Sequence, residues 1–406
     1  MQIYNSYRGG ANYFPINAFF STILFLLFLQ IGYSQEQVSP RICGNIIDAE
    51  TREPIAYANI FIANSSIGTA SDKNGYFELR NLPYGRYEII SSVLGYEVLK
   101  ANVGIYTDSR RNFRFEMYKQ PIKMEEIIVK GKSSWKRRRQ LNKFRRVFLG
   151  SSQNGKKSYI KNEEVIRFKE NGDMLLAYAY EPLEIINNGL GYKIYYVLED
   201  YQQTPYEIKY TGYPHFIEKT AKTFHDSVDW PENRKNTYTG SLRHFLTTIC
   251  KNFDITNGDT TARRIVKDWG DIIDYRTKVI YADSSHIEEE GFFVQQMKYL
   301  KGLRRTTDIR LVNTNWFLSE SDNDNELYFC FEDYLKVIYD NETYPFERLA
   351  GESRRVSWIV MTCDSTILDK QGRYYDKYAI QVMGLWSHER AADMLPFDYL
   401  IEKEDE

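Results

Sequence analysis

"SDKNGYFELRNLPYGRYEI", residues 71–89, decides how the N-terminal part of this chain folds. Asp72, Asn74 and Gly75 tolerate positive φ or bond their own backbone, which is what a tight hairpin connection requires. Phe77 and Leu79 then alternate with Glu78 and Arg80, the period of two of a half-buried strand. The run Asn81-Leu82-Pro83-Tyr84-Gly85 breaks it; Tyr87, Ile89, Ser91 and Val93 resume the alternation, and Gly95 ends it. Upstream, Ile60 and Ile62 alternate with Asn59, Phe61 and Ala63, and "RICGNIID" (41–48) reads as an earlier strand closed by the loop at 48–54. Short strands with turn signals at this spacing predict an antiparallel β-sandwich.

Four spaced motifs carry a resemblance. "TREPIAYANI" (51–60), "GTASDKNGYF" (68–77), "LPYGRY" (82–87) and "LGY" (94–96) follow one another in order within 44–97. This run, about a fifth of the chain, resembles the carboxypeptidase regulatory-like domain, a small transthyretin-like β-sandwich. In metallocarboxypeptidases such a sandwich is an appendage without zinc ligands, so the resemblance does not imply peptidase activity; the turn residues and alternating strands suit a rigid mount.

With 406 residues, 43% hydrophobic and 15% aromatic, the chain is long enough for two or three units with a sizeable core. Its 33 tyrosines suit two-sided sheets; stacking platforms for sugars are the sharper alternative. A net charge of -2 gives no sign of nucleic-acid binding.

The run "AFFSTILFLLFL" (18–29), with Arg8 before it and Gly32-Tyr33-Ser34 after it, has the layout of a signal peptide cut between Ser34 and Gln35. A membrane anchor is the alternative, although the run is short for a span of about 20 residues. Export to the periplasm or the outer-membrane surface is therefore expected. Cys43, Cys250, Cys330 and Cys363 are widely spaced without C-x-x-C; an oxidising compartment permits pairing, and buried thiols are the plainer expectation.

After the strand-like "NFRFEMY" (112–118), "MEEIIVKGK" (124–132) is similar to the segment that follows the same sandwich in TonB-dependent outer-membrane receptors, where it serves as a coupling box. The chain lacks the repeated ten-residue amphipathic strands of a barrel, so a last strand or linker is the better reading of 119–134. Then comes "SSWKRRRQLNKFRRVFLGSS" (133–152). Lys136, Arg137, Arg138, Arg139, Lys143, Arg145 and Arg146 occur with no acid among them, while Leu141, Phe144, Val147 and Phe148 share one arc of a helical wheel and Gly150 supplies a stop. These seven cations are the candidate contact for an anionic partner, such as an acidic glycan or a membrane surface; a solvated helix face is the plainer account.

From Tyr159 the pattern returns to strands, with an Asn171-Gly172 hairpin signal and the alternating "GYKIYYVLEDYQ" (191–202). Thr239 or Ser241 is placed to cap a helix carrying Leu242, Phe245, Leu246 and Ile249 at core spacing. Near the C-terminus, Ser387 is placed to cap a short helix that Pro396 ends. The expected class is mainly β to α+β: a leader at 1–34, the sandwich at 41–118, a connector at 119–134, a β-rich α+β region at 135–400 and an acidic tail at 401–406. "NNGLGYKIYYVLEDY" (187–201), "WPENRKNTYTGSLRHFL" (230–246) and "LWSHERAADMLPFDY" (385–399) resemble blocks found downstream of this sandwich in envelope proteins of certain Gram-negative bacteria.

The search for reactive groups is thin. His215, His225, His244, His286 and His388 form no metal spacing, and "SHER" (387–390) has no second histidine one helical turn away. No nucleophile elbow or phosphate-cradling glycine loop occurs. Asp72 to Gly75 begins like a calcium loop, but Pro83 stands at the twelfth position. No cofactor is expected. A non-catalytic envelope binding or scaffolding protein, with an envelope protein or glycan as partner, fits this profile best. An accessory of TonB-dependent transport and an envelope hydrolase are the alternatives.

Overall fold

The computed structural model describes residues 40–80, 82–105, 110–120, 135–251, 253, 292–300, 305–311, 317–323, 325–339 and 356–401. The leader and its Ser34–Gln35 junction, the 124–132 stretch, His286, Trp316 and residues 402–406 of the tail lie outside them.

Seven strands make the sandwich: β1 (Arg41–Asp48), β2 (Asn59–Ile62), β3 (Gly68–Ala70), β4 (Tyr76–Leu79), β5 (Gly85–Ser92), β6 (Leu99–Ile105) and β7 (Arg110–Met117). One sheet runs β4-β1-β7 and the other β3-β2-β5-β6. Their inner faces close over Ile42, Ile46, Ile60, Ile62, Phe77, Leu79 and Ile89, the alternating residues of each strand. Pairing is antiparallel except between β1 and β7, which run parallel from Arg41↔Arg110 to Asp48↔Met117.

The turn at 72–75 has the chemistry expected of it and a different task. The Asp72 carboxylate accepts the backbone N–H groups of Asn74 at 2.8 Å and Tyr76 at 2.9 Å. Gly75 sits at φ +73°, and a Cβ there would lie 2.4 Å from the Ile46 carbonyl oxygen, so no other residue fits. The flanking strands do not, however, pair as a hairpin: β3 lies in one sheet and β4 in the other. The buried Ser71 explains the divergence. Its backbone and hydroxyl are held by residues 55–58, while Tyr76 pairs with Asn45 of β1, so the chain changes sheets at Asp72.

The second region begins with α1 (Trp135–Phe148) and the short α2 (Gln153–Lys156). A six-stranded sheet follows: β8 (Ser158–Ile160), β9 (Ile166–Asn171), β10 (Met174–Ala179), β11 (Leu183–Asn187), β12 (Tyr192–Gln203) and β13 (Ile208–Glu218), with the long β12 at its centre. The Asn171-Gly172 hairpin forms as expected, Asn171 pairing with Met174. Phe144 and Phe148 of α1 are fully buried on this sheet, against Tyr201 and Tyr196.

Helices α3 (Phe224–Tyr238) and α4 (Leu242–Lys251) come next. Ser241 accepts the N–H of His244 at 3.1 Å and so caps α4, whose Phe245, Leu246 and Ile249 enter a core with Phe329, Val337 and Leu368. That core is shared by two sheets. One has the order β15-β14-β18-β19-β21, from β14 (Phe292–Leu300), β15 (Arg305–Leu311), β18 (Tyr334–Tyr339), β19 (Val356–Met361) and β21 (Ile380–Gly384). The other has the order β16-β17-β20, from β16 (Leu318–Glu320), β17 (Glu326–Phe329) and β20 (Thr366–Asp369).

Three expectations change. Helix α3 has no counterpart in the sequence reading because Pro231 stands inside it; a capping box between Thr223 and Asp226 starts the helix regardless. Ser387 does not cap a helix: it lies within a 3-10 turn, Leu385–His388, and its hydroxyl donates to Gly384 O at 2.7 Å. Only Cys43 and Cys250 are buried thiols; Cys330 and Cys363 are exposed just outside their strands.

Candidate functional site: the joint between sandwich and second region

The outer face of β2 and β5 is as apolar as the inner one at Phe61, Ala63 and Ile90, and these side chains are covered by Val197 of β12 and Tyr213 of β13. The turn between β2 and β3 is tied down on two sides. Asn64 N donates to Pro214 O at 2.8 Å and Phe216 N to Ser65 O at 3.0 Å, extending β13 by a parallel bridge. Phe397 N donates to Asn64 O at 2.7 Å, and the Asp398 carboxylate accepts both the N–H and the hydroxyl of Ser66. Beside this seam, Glu199 takes Lys100 from the sandwich and Lys377 from the C-terminal part. Glu199 is the extra residue of a β-bulge between Leu198 and Asp200, which re-aims its side chain off the regular register.

The three downstream sequence blocks meet next to the seam. The buried Asn187 accepts the N–H groups of Gly189 and Leu190 and donates to Ala392 O at 2.8 Å. Helix α3 holds the carbonyls of the same loop: Trp230 Nε1 donates to Asn188 O at 3.0 Å, Asn233 Nδ2 to Gly189 O at 2.9 Å and Arg234 Nε to Leu190 O at 2.8 Å. On the far side of α4, Arg243 donates to the carbonyls of Pro396, Phe397 and Tyr399. Each block thus supplies the partners that another leaves unsatisfied.

Between these elements lies an open cleft of about 1580 Å³. Its sandwich wall is Asn59, Ser66, Gly68 and Thr69; its floor is Tyr192 and His215–Glu218; α3 contributes Val228, Pro231, Glu232, Arg234 and Lys235; His244, Tyr339 and the 398–401 segment close one end. Arg234, His215 and His244 in its lining are engaged in structure. Arg234 bonds Glu218 at 2.5 Å and lies 4.1 Å from the Tyr192 ring centroid. His215 stacks on Phe61 with ring centroids 4.9 Å apart, and burial holds its pKa below the ordinary histidine value. A Cβ on Gly68 would lie 2.5 Å from His215 Nε2, so the strand edge approaches the ring only because glycine stands there. His244 Nδ1 accepts Gly240 N–H at 3.0 Å, and burial lowers its pKa to about 4.

His225 and His388 are exposed and apart from the cleft. Among the described residues no group of three or more His, Cys, Asp or Glu side chains gathers as a metal set. The neighbours His388 and Glu389 face different surroundings: Glu389 takes Leu242 N–H at the start of α4, and burial beside Asp393 raises its carboxyl to about 8. Sequence patterning gave no signal for Glu389, because the helix it meets lies far from it along the chain.

The seven basic residues of α1 divide. Arg137 donates to Ile166 O and Glu163 O at 3.0 and 3.1 Å, Arg145 pairs with Glu163, and Lys136 pairs with Glu170 at 2.9 Å. Arg138, Arg139 and Arg146 are exposed and Lys143 is half-buried.

Comparison with known proteins agrees with the sandwich. Residues 42–129 match the CarboxypepD_reg-like domain. The N-terminal unit is a carboxypeptidase regulatory-like domain, transthyretin-like in fold, and the family match extends through the first part of the expected connector. No curated protein matches the chain. Among solved structures, the chain is similar to a type II cohesin–X-dockerin complex from Acetivibrio cellulolyticus, with 22% identity over 20% of this chain and 58% of that one and a TM-score of 0.18. The group B streptococcus pilus 2b backbone protein shares 16% identity over 20% of this chain and 40% of its own, with a TM-score of 0.18. A streptococcal ancillary pilin shares 12% identity over 47% of this chain and 61% of its own, with a TM-score of 0.20. The chain spans less than two thirds of each of these structures.

Proposed function

We propose that this chain is a non-catalytic binding or scaffolding protein of the cell envelope, with the carboxypeptidase regulatory-like domain as a fixed mount and the cleft at the joint as the place where a partner is taken. The observation that carries this reading is that the cleft has one wall from the mount and the others from the second region, so the site exists only while the two are joined. Its surface mixes aromatic and proline faces with amide and hydroxyl groups, the composition of sites that recognise by shape and hydrogen bonding. The two histidines in it are already committed to stacking and a backbone bond, and Arg234 and Asp398 to an ion pair and to hydrogen bonds. Envelope location rests on the leader-like run at 18–29.

Site-specific photocrosslinking in the producing cell tests the reading. A photoreactive residue at Thr69 or Val228, on opposite walls of the cleft, should trap the same envelope component. One at Tyr206, at the exposed tip of the β12–β13 hairpin, should not. Capture from Tyr206 with none from either wall would remove the cleft as the binding site.

A further inference from the structure

Among the described residues, helix α1 carries a face that no other element packs against. At about 100° per residue, Trp135, Arg138, Arg139, Asn142, Lys143 and Arg146 fall within an arc of about 140°. That arc is opposite the buried Gln140, Phe144 and Phe148. It contains no carboxylate, and the flanking acids are occupied: Glu163 holds Arg145, and Glu170 holds Lys136 and Gln140. The exposed acid on the adjoining turn is Glu164. Because α1 covers one face of the six-stranded sheet and Val197 and Tyr213 turn from that sheet toward the sandwich, the cationic arc is, among the described residues, the outer layer on the side away from the mount.

Trp135 makes this arc more than a solvated one. It is 74% exposed, and the Arg139 guanidinium lies 5.5 Å from its ring centroid. An exposed indole among cations suits the headgroup layer of a bilayer, where its apolar body and polar N–H are both accommodated. The charge is complementary to lipid phosphates, and a row of exposed cations is attracted to an anionic leaflet within a Debye length. We propose that the outer face of α1 docks peripherally on an anionic lipid surface, with Arg138, Arg139, Lys143 and Arg146 on the headgroup phosphates and Trp135 seated in the interfacial layer. The apolar face of the helix stays on the protein's own sheet, so the attachment is electrostatic with one aromatic anchor, and it is reversible and salt-sensitive. This docking face is independent of the cleft.

Vesicle co-sedimentation tests the proposal, using phosphatidylcholine vesicles with and without phosphatidylglycerol. Both the full chain and the form beginning at Gln35 are measured, which separates α1 from the apolar run at 18–29. The form beginning at Gln35 should sediment with the anionic vesicles at low salt, remain in solution with neutral ones, and be released at about 0.5 M salt, where the Debye length falls below about 5 Å. The variant R138Q/R139Q/K143Q/R146Q should lose at least tenfold in binding, and Trp135→Ala severalfold, with circular dichroism and melting temperature unchanged. Undiminished binding by the correctly folded quadruple variant would overturn the proposal. Retention on soluble polyphosphate without sedimentation on anionic vesicles would overturn it equally, by assigning the face to a soluble polyanion.

Discussion

Glu389 and His244 lie close together along the α4 end of the molecule and pull its stability in opposite directions with pH. Burial beside Asp393 raises the folded-state carboxyl of Glu389 to about 8, so the folded chain holds a proton that the unfolded chain has released. Its contribution is complete below the ordinary carboxylate range and is lost as pH rises to about 8. Burial lowers His244 to about 4, so the folded chain excludes a proton that the unfolded chain takes up; that contribution is lost as pH falls from the ordinary histidine range toward 4. Melting temperatures measured between pH 5 and 9 should decline on the alkaline side for the wild type, and Glu389→Gln should flatten that limb. An unchanged alkaline limb in the variant would mean that Glu389 is ionised throughout. None of this was legible in the residues. "SHER" places His388 beside Glu389, yet one is exposed and the other meets a helix start that sequence spacing does not bring near.

At the scale of elements, local rules were enough wherever the partner of a strand or helix did not matter. The apolar arc of α1 identified Phe144 and Phe148, and the alternation of β4 identified Phe77 and Leu79. Phe144→Ala is expected to cost about 3–5 kcal/mol in chemical denaturation, since the ring is fully buried between Phe148 and Tyr201. Arg137→Gln should cost about 1 kcal/mol by removing one charged donor from the Ile166 and Glu163 carbonyls, which keep the Arg167 guanidinium and the Ile166 N–H, whereas Arg138→Gln should be close to neutral. The rules failed where tertiary contacts chose between equal local options. The turn at Asp72 formed as its residues dictate, but whether it joins paired strands or passes between sheets depends on what holds Ser71. In α3 the capping box and the Trp230, Asn233 and Arg234 bonds to the 188–190 loop outweigh the donor missing at Pro231.

Across the whole molecule, the joint is expected to make the carboxypeptidase regulatory-like domain and the region beyond it unfold as one body. Phe61 and Ile90 were visible only as the outward half of two strands, and nothing in those strands says that the outward half is also buried. Calorimetry should show a single unfolding transition for the wild type, and Ile90→Asp, which puts a charge into the joint, should split it into two. Two transitions in the wild type would show that the joint contributes little. Limited proteolysis should cut first within 119–134, leaving fragments that stay associated through the seam.

The bonds from Ser66 to Asp398 span 332 positions of chain, and synthesis delivers the two ends at very different times. The carboxypeptidase regulatory-like domain has its own core and is complete early, but its outer apolar face must wait for β12, β13 and finally the 397–398 segment. Closing so long a loop is slow compared with pairing neighbouring strands. During that interval the nascent chain displays a finished module with a sticky side, a natural point for a chaperone to hold and for two unfinished copies to meet. Premature termination before Tyr213 would make that interval permanent, so such a truncated product should accumulate as aggregates with native-like sandwiches rather than as unfolded chain.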